Sequence, residues 1–315
     1  MDVITSRHNA KIKVIRELKK RAARDERRLA FIEGRRLVEE ALNVPVAHGR
    51  YRSVAVKMLC ASESYAGGAG FGEIEAAARK LDLDILIASD EVFAGISETQ
   101  HPQGLLSVIE MLDYTEEEVL RGGGGMQGDG GAHGGGSVQG NGGAHGGGGT
   151  RSKLLVLDHV ADPGNVGVML RTAEAAAFTG VVLSSGCADI YEPKTLRATM
   201  GSVFRIPFIR GADLNAWVDK LCDRGFQILA SAAAGAAETS DCFRAHISEG
   251  DVALVIGSEA SGVSGHILGQ CDAVLSIPMP GGAESLNAGV AAGILMYEIL
   301  RRESRSTSPQ VSVSV

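Results

Sequence analysis

Three polar, glycine-rich segments in the C-terminal half each follow a short apolar run. They are Asp158–Gly167, Gly257–Val263 and Ile277–Gly293. If the apolar runs are parallel strands, these segments lie at strand carboxyl ends, where α/β sheets bind their ligands. Their amide, guanidinium, carboxylate and hydroxyl groups could orient a substrate and stabilise developing charge. The first segment leads into Arg171-Thr-Ala.

Each segment also has a purely structural interpretation. Asp162-Pro-Gly-Asn is a good turn and helix start. Ser258 could simply cap a loop, and Ser285 or Asn287 could cap the last helix. Three such segments on successive strand ends favour a ligand site over structure alone.

The chain around these segments alternates between short apolar runs and helical stretches, which predicts a parallel sheet covered by helices on both faces. Strands are predicted at 154–158, 181–184, 206–209, 227–231, 252–257 and 273–277. Helices are predicted at 165–178, 193–203, 214–224 and 286–302. Asn165 and Arg171 are six residues apart and so face different directions on one helix.

A separate small α/β domain is predicted at residues 1–112, and it opens with a basic helical stretch from Asn9 to Arg28. Between Arg7 and Arg28 there are ten Lys or Arg and three acidic residues. This charge is compatible with a solvated helix face or with a surface for RNA phosphates. The net charge of −7 excludes a uniformly basic protein.

The segment 113–150 is predicted to be a flexible Gly-rich linker between the two domains, because more than half of residues 122–150 are glycine and bury too little apolar surface to offset the entropy of ordering. The sequence GGAHGGG occurs in it twice, at 130–136 and 142–148. Its GxGxxG match, residues 123–128, follows no strand and is rejected as a dinucleotide fingerprint. A disordered tail is predicted at 303–315.

Five widely spaced cysteines, with no CxxC pair, indicate neither a disulfide framework nor a zinc site, and no metal is expected. A reducing cytoplasm fits this pattern. No apolar run reaches the roughly 18 residues of a membrane span, and the N-terminus has no apolar signal region.

The three segments resemble the three signature motifs of the SpoU/TrmH family in the SPOUT class of methyltransferases. DHVADPGNVGVMLRTA is similar to the first motif, LVIGSEASGVS to the second and IPMPGGAESLNAGVAAGILMYE to the third. The resemblance spans residues 151–302. The preceding domain and its sequence Thr99-Gln-His-Pro-Gln-Gly more loosely resemble the RNA-binding domain that often precedes this module.

This resemblance implies an α/β fold with a deep C-terminal trefoil knot and a homodimer formed through the knotted domain. It implies S-adenosyl-L-methionine as cofactor, held by Gly257, Ile277, Leu286 and Met279. The implied reaction is methylation of a ribose 2′-hydroxyl in RNA, with ribosomal RNA favoured. Arg171 hardly deprotonates, so we expect it to clamp a phosphate rather than act as base. The resemblance implies catalytic roles for Asn165, Arg171, Glu259, Ser285 and Asn287. Glu259 would hold the motif loops or Arg171, Ser285 and Asn287 would orient the ribose or the loop, and Asn165 would act from the helix start.

Other functions remain open at this point. The RNA could be transfer RNA, or the chain could be a catalytically inactive RNA-binding module, since folds sometimes lose their chemistry. A Rossmann-type methyltransferase would need a glycine-rich loop after its first strand, and the sequence has none there. His159 stands in the first motif, but the resemblance gives it no role.

Overall fold

The computed structural model describes residues 2–43, 54–121, 151–232 and 239–306, and these form two β-sheets with helices around them. One sheet belongs to the N-terminal half and the other to the C-terminal half. This arrangement agrees with the two α/β regions that the sequence predicts, and it places the three polar segments on the second sheet.

The first sheet has five strands in the order β1-β4-β3-β5-β2. The strands β1, β4 and β3 are parallel, whereas β5 runs antiparallel to β3 and β2. Its strands are β1 (Val3–Ile4), β2 (Leu29–Glu33), β3 (Val56–Ser62), β4 (Asp84–Ala88) and β5 (Leu105–Glu110). Its helices are α1 (Ala10–Glu17), α2 (Arg21–Arg27), α3 (Arg35–Asn43), α4 (Glu63–Ala66), α5 (Phe71–Lys80) and α6 (Asp90–Ile96).

The basic opening stretch forms two helices rather than one. Asn9 caps α1 by accepting hydrogen bonds from the main-chain N–H groups of Lys11 and Ile12. Just after the end of α1, Arg24 of α2 donates to the main-chain carbonyls of Leu18 and Lys19, at 2.9 and 2.8 Å. These carbonyls would otherwise lack partners at the helix end. Tertiary contacts therefore divide the basic stretch.

The second sheet has seven strands in the order β10-β12-β9-β11-β6-β7-β8, all parallel as predicted. Its strands are β6 (Lys153–Asp158), β7 (Gly180–Ser184), β8 (Phe208–Ala212), β9 (Gln227–Ser231), β10 (Ser240–Asp241), β11 (Val252–Gly257) and β12 (Ala273–Ser276). Helices α8 (Pro163–Ala175), α9 (Pro193–Thr199), α10 (Leu214–Asp223), α11 (Gly265–Leu268) and α12 (Ala288–Ser306) cover it, with a 3₁₀ turn at Ser202–Phe204. No helix of the described ranges is long and apolar enough to cross a bilayer.

The segment predicted as a linker begins with a helix, α7 (Glu116–Arg121). Thr115 and Glu118 form a capping box: each side chain accepts a hydrogen bond from the other's main-chain N–H. Val119 and Leu120 are buried against the second sheet. The prediction of a linker from 113 was therefore wrong for its first residues, and residues 122–150 lie outside the described part of the chain.

The predicted tail begins too early as well. Helix α12 continues to Ser306, and Glu303 accepts a hydrogen bond from the buried ammonium of Lys153 at 2.6 Å. A buried cation needs such a partner, so this ion pair explains why the helix extends beyond Arg302. Residues 307–315 lie outside the described residues.

The two halves pack directly on each other. One apolar cluster includes Ile32 and Leu59 of the first sheet and Leu155 and Leu183 of the second. Polar contacts across the boundary include the Arg24–Asp189 ion pair, at 2.6 Å. The other contacts pair Arg205 with Glu40, Arg210 with Asp25, and the Tyr191 hydroxyl with the main chain of Leu112. The N-terminal domain therefore sits directly against the domain that contains the second sheet.

Candidate functional site

The three predicted motif segments lie at one edge of the second sheet. The first follows β6, the second follows β11 and the third follows β12. Strand β11 lies between β6 and β9, and β12 pairs with β9, so the three carboxyl ends are close neighbours. The sheet order brings together segments that are far apart in sequence.

The first segment places Asn165 at the start of α8. Asp162 is the N-cap, and its carboxylate accepts a hydrogen bond from the main-chain N–H of Asn165 at 2.7 Å. Pro163 occupies the first helical turn, where its missing N–H has no cost. The predicted turn and helix start is therefore observed, and the cap fixes the main chain at Asn165.

The side chains of Asn287, Asn165 and Glu259 form a continuous hydrogen-bonded chain. The Oδ1 of Asn287 accepts from the main-chain N–H groups of Gly289 and Val290, at 2.9 and 3.2 Å. Its Nδ2 therefore faces Asn165 and donates to that residue's Oδ1 at 2.9 Å. The Nδ2 of Asn165 then donates to the Glu259 carboxylate. One residue from each segment takes part, so the chain ties all three loops together.

A cavity of about 1100 Å³ lies beside this chain. All four residues predicted to hold the cofactor line it, namely Gly257, Ile277, Met279 and Leu286. Glu259, Ser285 and Asn287 line it too. The volume is ample for a nucleoside-sized ligand. Seven of the nine predicted site residues therefore share one cavity, and Asn165 contacts two of them.

The glycine at the end of β11 lets the second loop fold tightly. Ser258 and Gly262 exchange main-chain hydrogen bonds at 3.2 and 2.9 Å. A Cβ atom on Gly257 would lie 2.0 Å from the carbonyl carbon of Gly262, which is far inside contact distance. No side chain fits at position 257, and the main chain itself forms that wall of the cavity.

Arg171 lies apart from this cluster, on another face of α8. It is exposed, and among the described residues its guanidinium makes no hydrogen bond or ion pair. The carboxylate of Glu174, one turn further along α8, accepts hydrogen bonds from Arg205 and Ser202. Burial raises the pKa of Glu174, but hydrogen bonds from Arg205 and Ser202 outweigh burial and lower it. The predicted alternative in which Glu259 holds Arg171 is not observed, because Glu259 pairs with Asn165.

Asp158, at the end of β6, is a residue that we did not predict for the site. Its buried carboxylate accepts hydrogen bonds from the main-chain N–H of Ser264 at 2.8 Å and contacts Nδ1 of His159 at 2.6 Å. It therefore ties the first loop to the end of the second. An acidic residue closing an apolar strand was the sequence signal for this role.

His159 points away from the cavity that holds the predicted cofactor residues. It lies in a separate cavity with Ser185, Asp213 and His266, near the start of α10. Its main chain is in the left-handed region, with φ of 57°, and its ring packs against Gly186. This position gives His159 no contact with the Asn165 cluster.

Comparisons with known protein families cover both halves of the chain. Residues 152–297 match the SpoU rRNA Methylase family, and residues 9–107 match the MRM3-like substrate binding domain. The MRM3-like match covers most of the residues that form the first sheet, and the SpoU match covers the residues that form the second sheet. All three motif segments lie within the first match.

Individual relatives agree with these matches over nearly the whole chain. The chain is 32% identical over 299 residues to the 23S rRNA (guanosine(2553)-2′-O)-methyltransferase RlmP of Bacillus subtilis (strain 168), covering 95% of this chain and 99% of the relative. An AdoMet-bound rRNA methyltransferase from Sinorhizobium meliloti superposes with a TM-score of 0.71 at 26% identity, covering 96% and 98% of the two chains. The fold of AviRb from Streptomyces viridochromogenes is also similar, with a TM-score of 0.72, 23% identity and coverage of 96% and 100%. The family expected from the three motifs is confirmed: this chain belongs to the SpoU rRNA methylase family.

Proposed function

We propose that the protein transfers a methyl group from S-adenosyl-L-methionine to a ribose 2′-hydroxyl of ribosomal RNA. The observation that carries this proposal is the hydrogen-bonded chain of Asn287, Asn165 and Glu259 at the edge of the cavity lined by Gly257, Ile277, Met279 and Leu286. It joins the residues that would orient a substrate to the residues that would hold the methyl donor. The names of the similar proteins support both the donor and the RNA.

The cavity suits the proposed cofactor. The main chain at Gly257 and the side chains of Ile277, Met279 and Leu286 offer an apolar surface with main-chain polar groups, which suits an adenosine moiety. When bound, S-adenosyl-L-methionine supplies an electrophilic methyl group on a positively charged sulfur. The ribose oxygen must lie in line behind that methyl group, so much of the rate enhancement comes from positioning.

The protein residues then have distinct tasks. Asn165, fixed between Asn287 and Glu259, and Ser285 at the cavity edge would orient the ribose. With the donor bound, the ribose oxygen would gain the methyl group, S-adenosyl-L-homocysteine would be the leaving group, and the hydroxyl proton would pass to solvent water. The unpartnered guanidinium of Arg171 would bind the adjacent phosphate and stabilise negative charge on the oxygen.

The partners that we propose are RNA and a second copy of this chain. Helix α12 exposes Val290 and Tyr297, at 52% and 50%, beside the exposed Val168 of α8. Exposed apolar side chains grouped on two packed helices favour a protein interface. We therefore propose a homodimer through this domain, with its C-terminal part knotted.

All five cysteines are free thiols, which supports a cytoplasmic location.

The test is methyl transfer from labelled S-adenosyl-L-methionine to RNA isolated from cells that lack the protein, followed by digestion to nucleosides. We expect label in a 2′-O-methylated nucleoside of the ribosomal fraction. Arg171→Ala should reduce the rate by about 100-fold or more, as loss of a group that stabilises transition-state charge does. Its affinity for the cofactor should not change, because Arg171 does not line the cavity.

Arg79→Ala is the matched control, since Arg79 is an exposed arginine of α5 whose ion pair is with Glu75. It should methylate RNA like the wild-type protein. Label only in transfer RNA would show that the substrate is transfer RNA rather than ribosomal RNA. No transfer and no cofactor binding would contradict the enzyme function and leave an RNA-binding module.

A further inference from the structure

A second cavity, of about 270 Å³, lies at the boundary between the two domains. The first domain contributes residues of the turn after β2, the start of α3 and the loop before β5, and the second domain contributes the end of α9. The loop includes the sequence Thr99-Gln-His-Pro-Gln, whose side chains the reaction at the larger cavity does not use. The lining residues are Glu33, Gly34, Arg36, Leu37, Thr99, His101, Gln103, Arg197 and Met200.

The carboxylate in this cavity is fully engaged by the protein. Glu33 accepts hydrogen bonds from the Ser97 hydroxyl, from the main-chain N–H of Glu98 at 3.0 Å and from the Thr99 hydroxyl at 2.9 Å. Its side chain is only 2% exposed. Glu33 therefore fixes the loop that carries His101, and it does not present negative charge to a ligand.

The remaining polar groups are hydrogen-bond donors without acceptors. Arg197 forms an ion pair with Glu33, but the distance of 3.9 Å is too long for a hydrogen bond, and no described residue accepts one from its guanidinium. Arg36 and His101 are exposed and likewise make no hydrogen bond within the described ranges. The Oε1 of Gln103 accepts from the main-chain N–H of Arg35, so its amide nitrogen is directed elsewhere. The cavity thus offers donors and cations above an apolar floor of Leu37 and Met200.

Helix α9, whose last residues line the cavity, packs against α8, the helix that carries Arg171. Gly167 packs against Ala198 of α9, and a Cβ atom there would lie 2.4 Å from the Ala198 side chain. Further along α8, Glu174 bonds Ser202. Arg171 lies between these two contacts on the same helix face, opposite the end of α9, where Met200 enters the cavity. Helix α9 therefore contacts α8 on the face that carries Arg171 and lines the cavity with its last residues.

We propose that this interdomain cavity binds one unpaired nucleotide of the RNA, on the same strand as the methylated ribose. Arg36 and Arg197 hold its phosphate, and the base lies against Leu37, Met200 and His101. Unstacked bases are the usual target of sequence-selective RNA recognition, with arginine and histidine side chains as stacking partners. Both domains supply contacts, so the site exists only when they are docked. This inference rests on the proposed function and names a substrate contact outside the methyl-transfer site.

The first experiment is photo-crosslinking of the full-length protein to a 23S rRNA transcript that contains 4-thiouridine, without cofactor. We expect cross-linked peptides to include the segment around His101 or the segment around Met200. Cross-links confined to other segments would contradict the proposal. Because no methyl transfer is needed, the result is independent of the catalytic function.

The second experiment compares Arg36→Ala and His101→Ala with the control Arg79→Ala. Each cavity variant should raise KM for the transcript about tenfold, as loss of one charged or stacking contact does, with kcat unchanged. Arg36→Ala should also lower the slope of log affinity against log salt by about 0.7, the value for one phosphate of a single strand. A slope and KM equal to those of the control, with methyl transfer intact, would overturn the cavity site and leave the proposed function standing. Absence of transfer by the wild-type protein would instead contradict the proposed function.

Discussion

Asn287 serves two purposes with one side chain. Its oxygen caps α12 by accepting from two main-chain N–H groups, and its nitrogen donates to Asn165. The cap leaves the amide one orientation, and that orientation sets the direction of every hydrogen bond as far as Glu259. One side chain therefore supplies both the helix cap and the hydrogen bond to Asn165, which explains why both interpretations of this residue had support in the sequence.

The substitution Asn287→Asp would keep the helix cap and remove the hydrogen bond that Asn287 donates to Asn165. Aspartate caps a helix as well as asparagine does, but its carboxylate cannot donate to the Oδ1 of Asn165. We expect the free energy of unfolding to change by less than about 1 kcal/mol, which is the usual size of a whole cap contribution. Methyl transfer should fall by about tenfold or more, because the chain that orients Asn165 loses a link. Chemical unfolding and single-turnover transfer measure the two effects.

Asn9→Asp makes the same substitution at another helix cap. The Asn9 side chain caps α1 through its oxygen, like Asn287, but does not take part in the Asn165 chain. It should leave unfolding and kcat at the wild-type values. If Asn287→Asp transferred methyl groups as fast as Asn9→Asp, the hydrogen bond to Asn165 would have no role in the reaction.

At the scale of elements, the tight loop after β11 decides whether the large cavity can exist. Its two main-chain hydrogen bonds between Ser258 and Gly262 bring the returning chain against Gly257. Asp158, at the end of the neighbouring strand β6, fastens the same loop through Ser264. The loop is held from both ends, so it can present its main chain to a ligand without rearranging.

Gly257→Ala tests this arrangement. The added methyl group would lie 2.0 Å from main-chain atoms of Gly262, so the loop must move. Overpacking of this kind usually costs 1–3 kcal/mol, and we expect S-adenosyl-L-methionine to bind about 10- to 100-fold more weakly by calorimetry. Gly265→Ala is the control, because a Cβ atom there meets nothing within 4 Å. Equal affinities for the two variants would show that the loop is not part of the cofactor site.

At the scale of the whole molecule, the two domains are held together by polar groups as well as by a shared apolar core. The Arg24–Asp189 pair is the most enclosed ion pair across the boundary among the described residues, with side chains 4% and 7% exposed. Arg24 also caps the end of α1, so the same residue shapes the basic surface and docks it on the second domain. The orientation of the basic helices relative to the methyl-transfer site depends on this residue.

Asp189→Asn should lower the free energy of unfolding by about 3 kcal/mol, because removing one partner of a buried ion pair leaves the other charge uncompensated. The measurement is urea unfolding at neutral pH. Asp84→Asn breaks an exposed ion pair with Lys11 and should cost no more than about 1 kcal/mol. Equal losses in the two variants would mean that the domain boundary does not depend on the buried pair.

The sequence by itself determined the local elements and the residue types of the site. Strand and helix alternation is a local pattern of apolar side chains, and it predicted the parallel sheet and nearly all of its strands. The motif segments were equally readable, because glycine, proline and capping residues act on their own neighbours. The helix at 116–121 was readable too, from its capping box, but the glycine-rich sequence that follows obscured it.

Only the tertiary structure decided which of these residues meet. Asn165 and Asn287 are 122 positions apart, and Arg24 and Asp189 are 165 apart. Their contacts depend on the order of strands in the sheet and on how the domains dock. Local patterns carry no record of that order, since any strand with the same apolar period could pair with several others. For the same reason the pairing of Glu259 with Asn165, the role of Asp158 and the interdomain cavity emerged only in three dimensions.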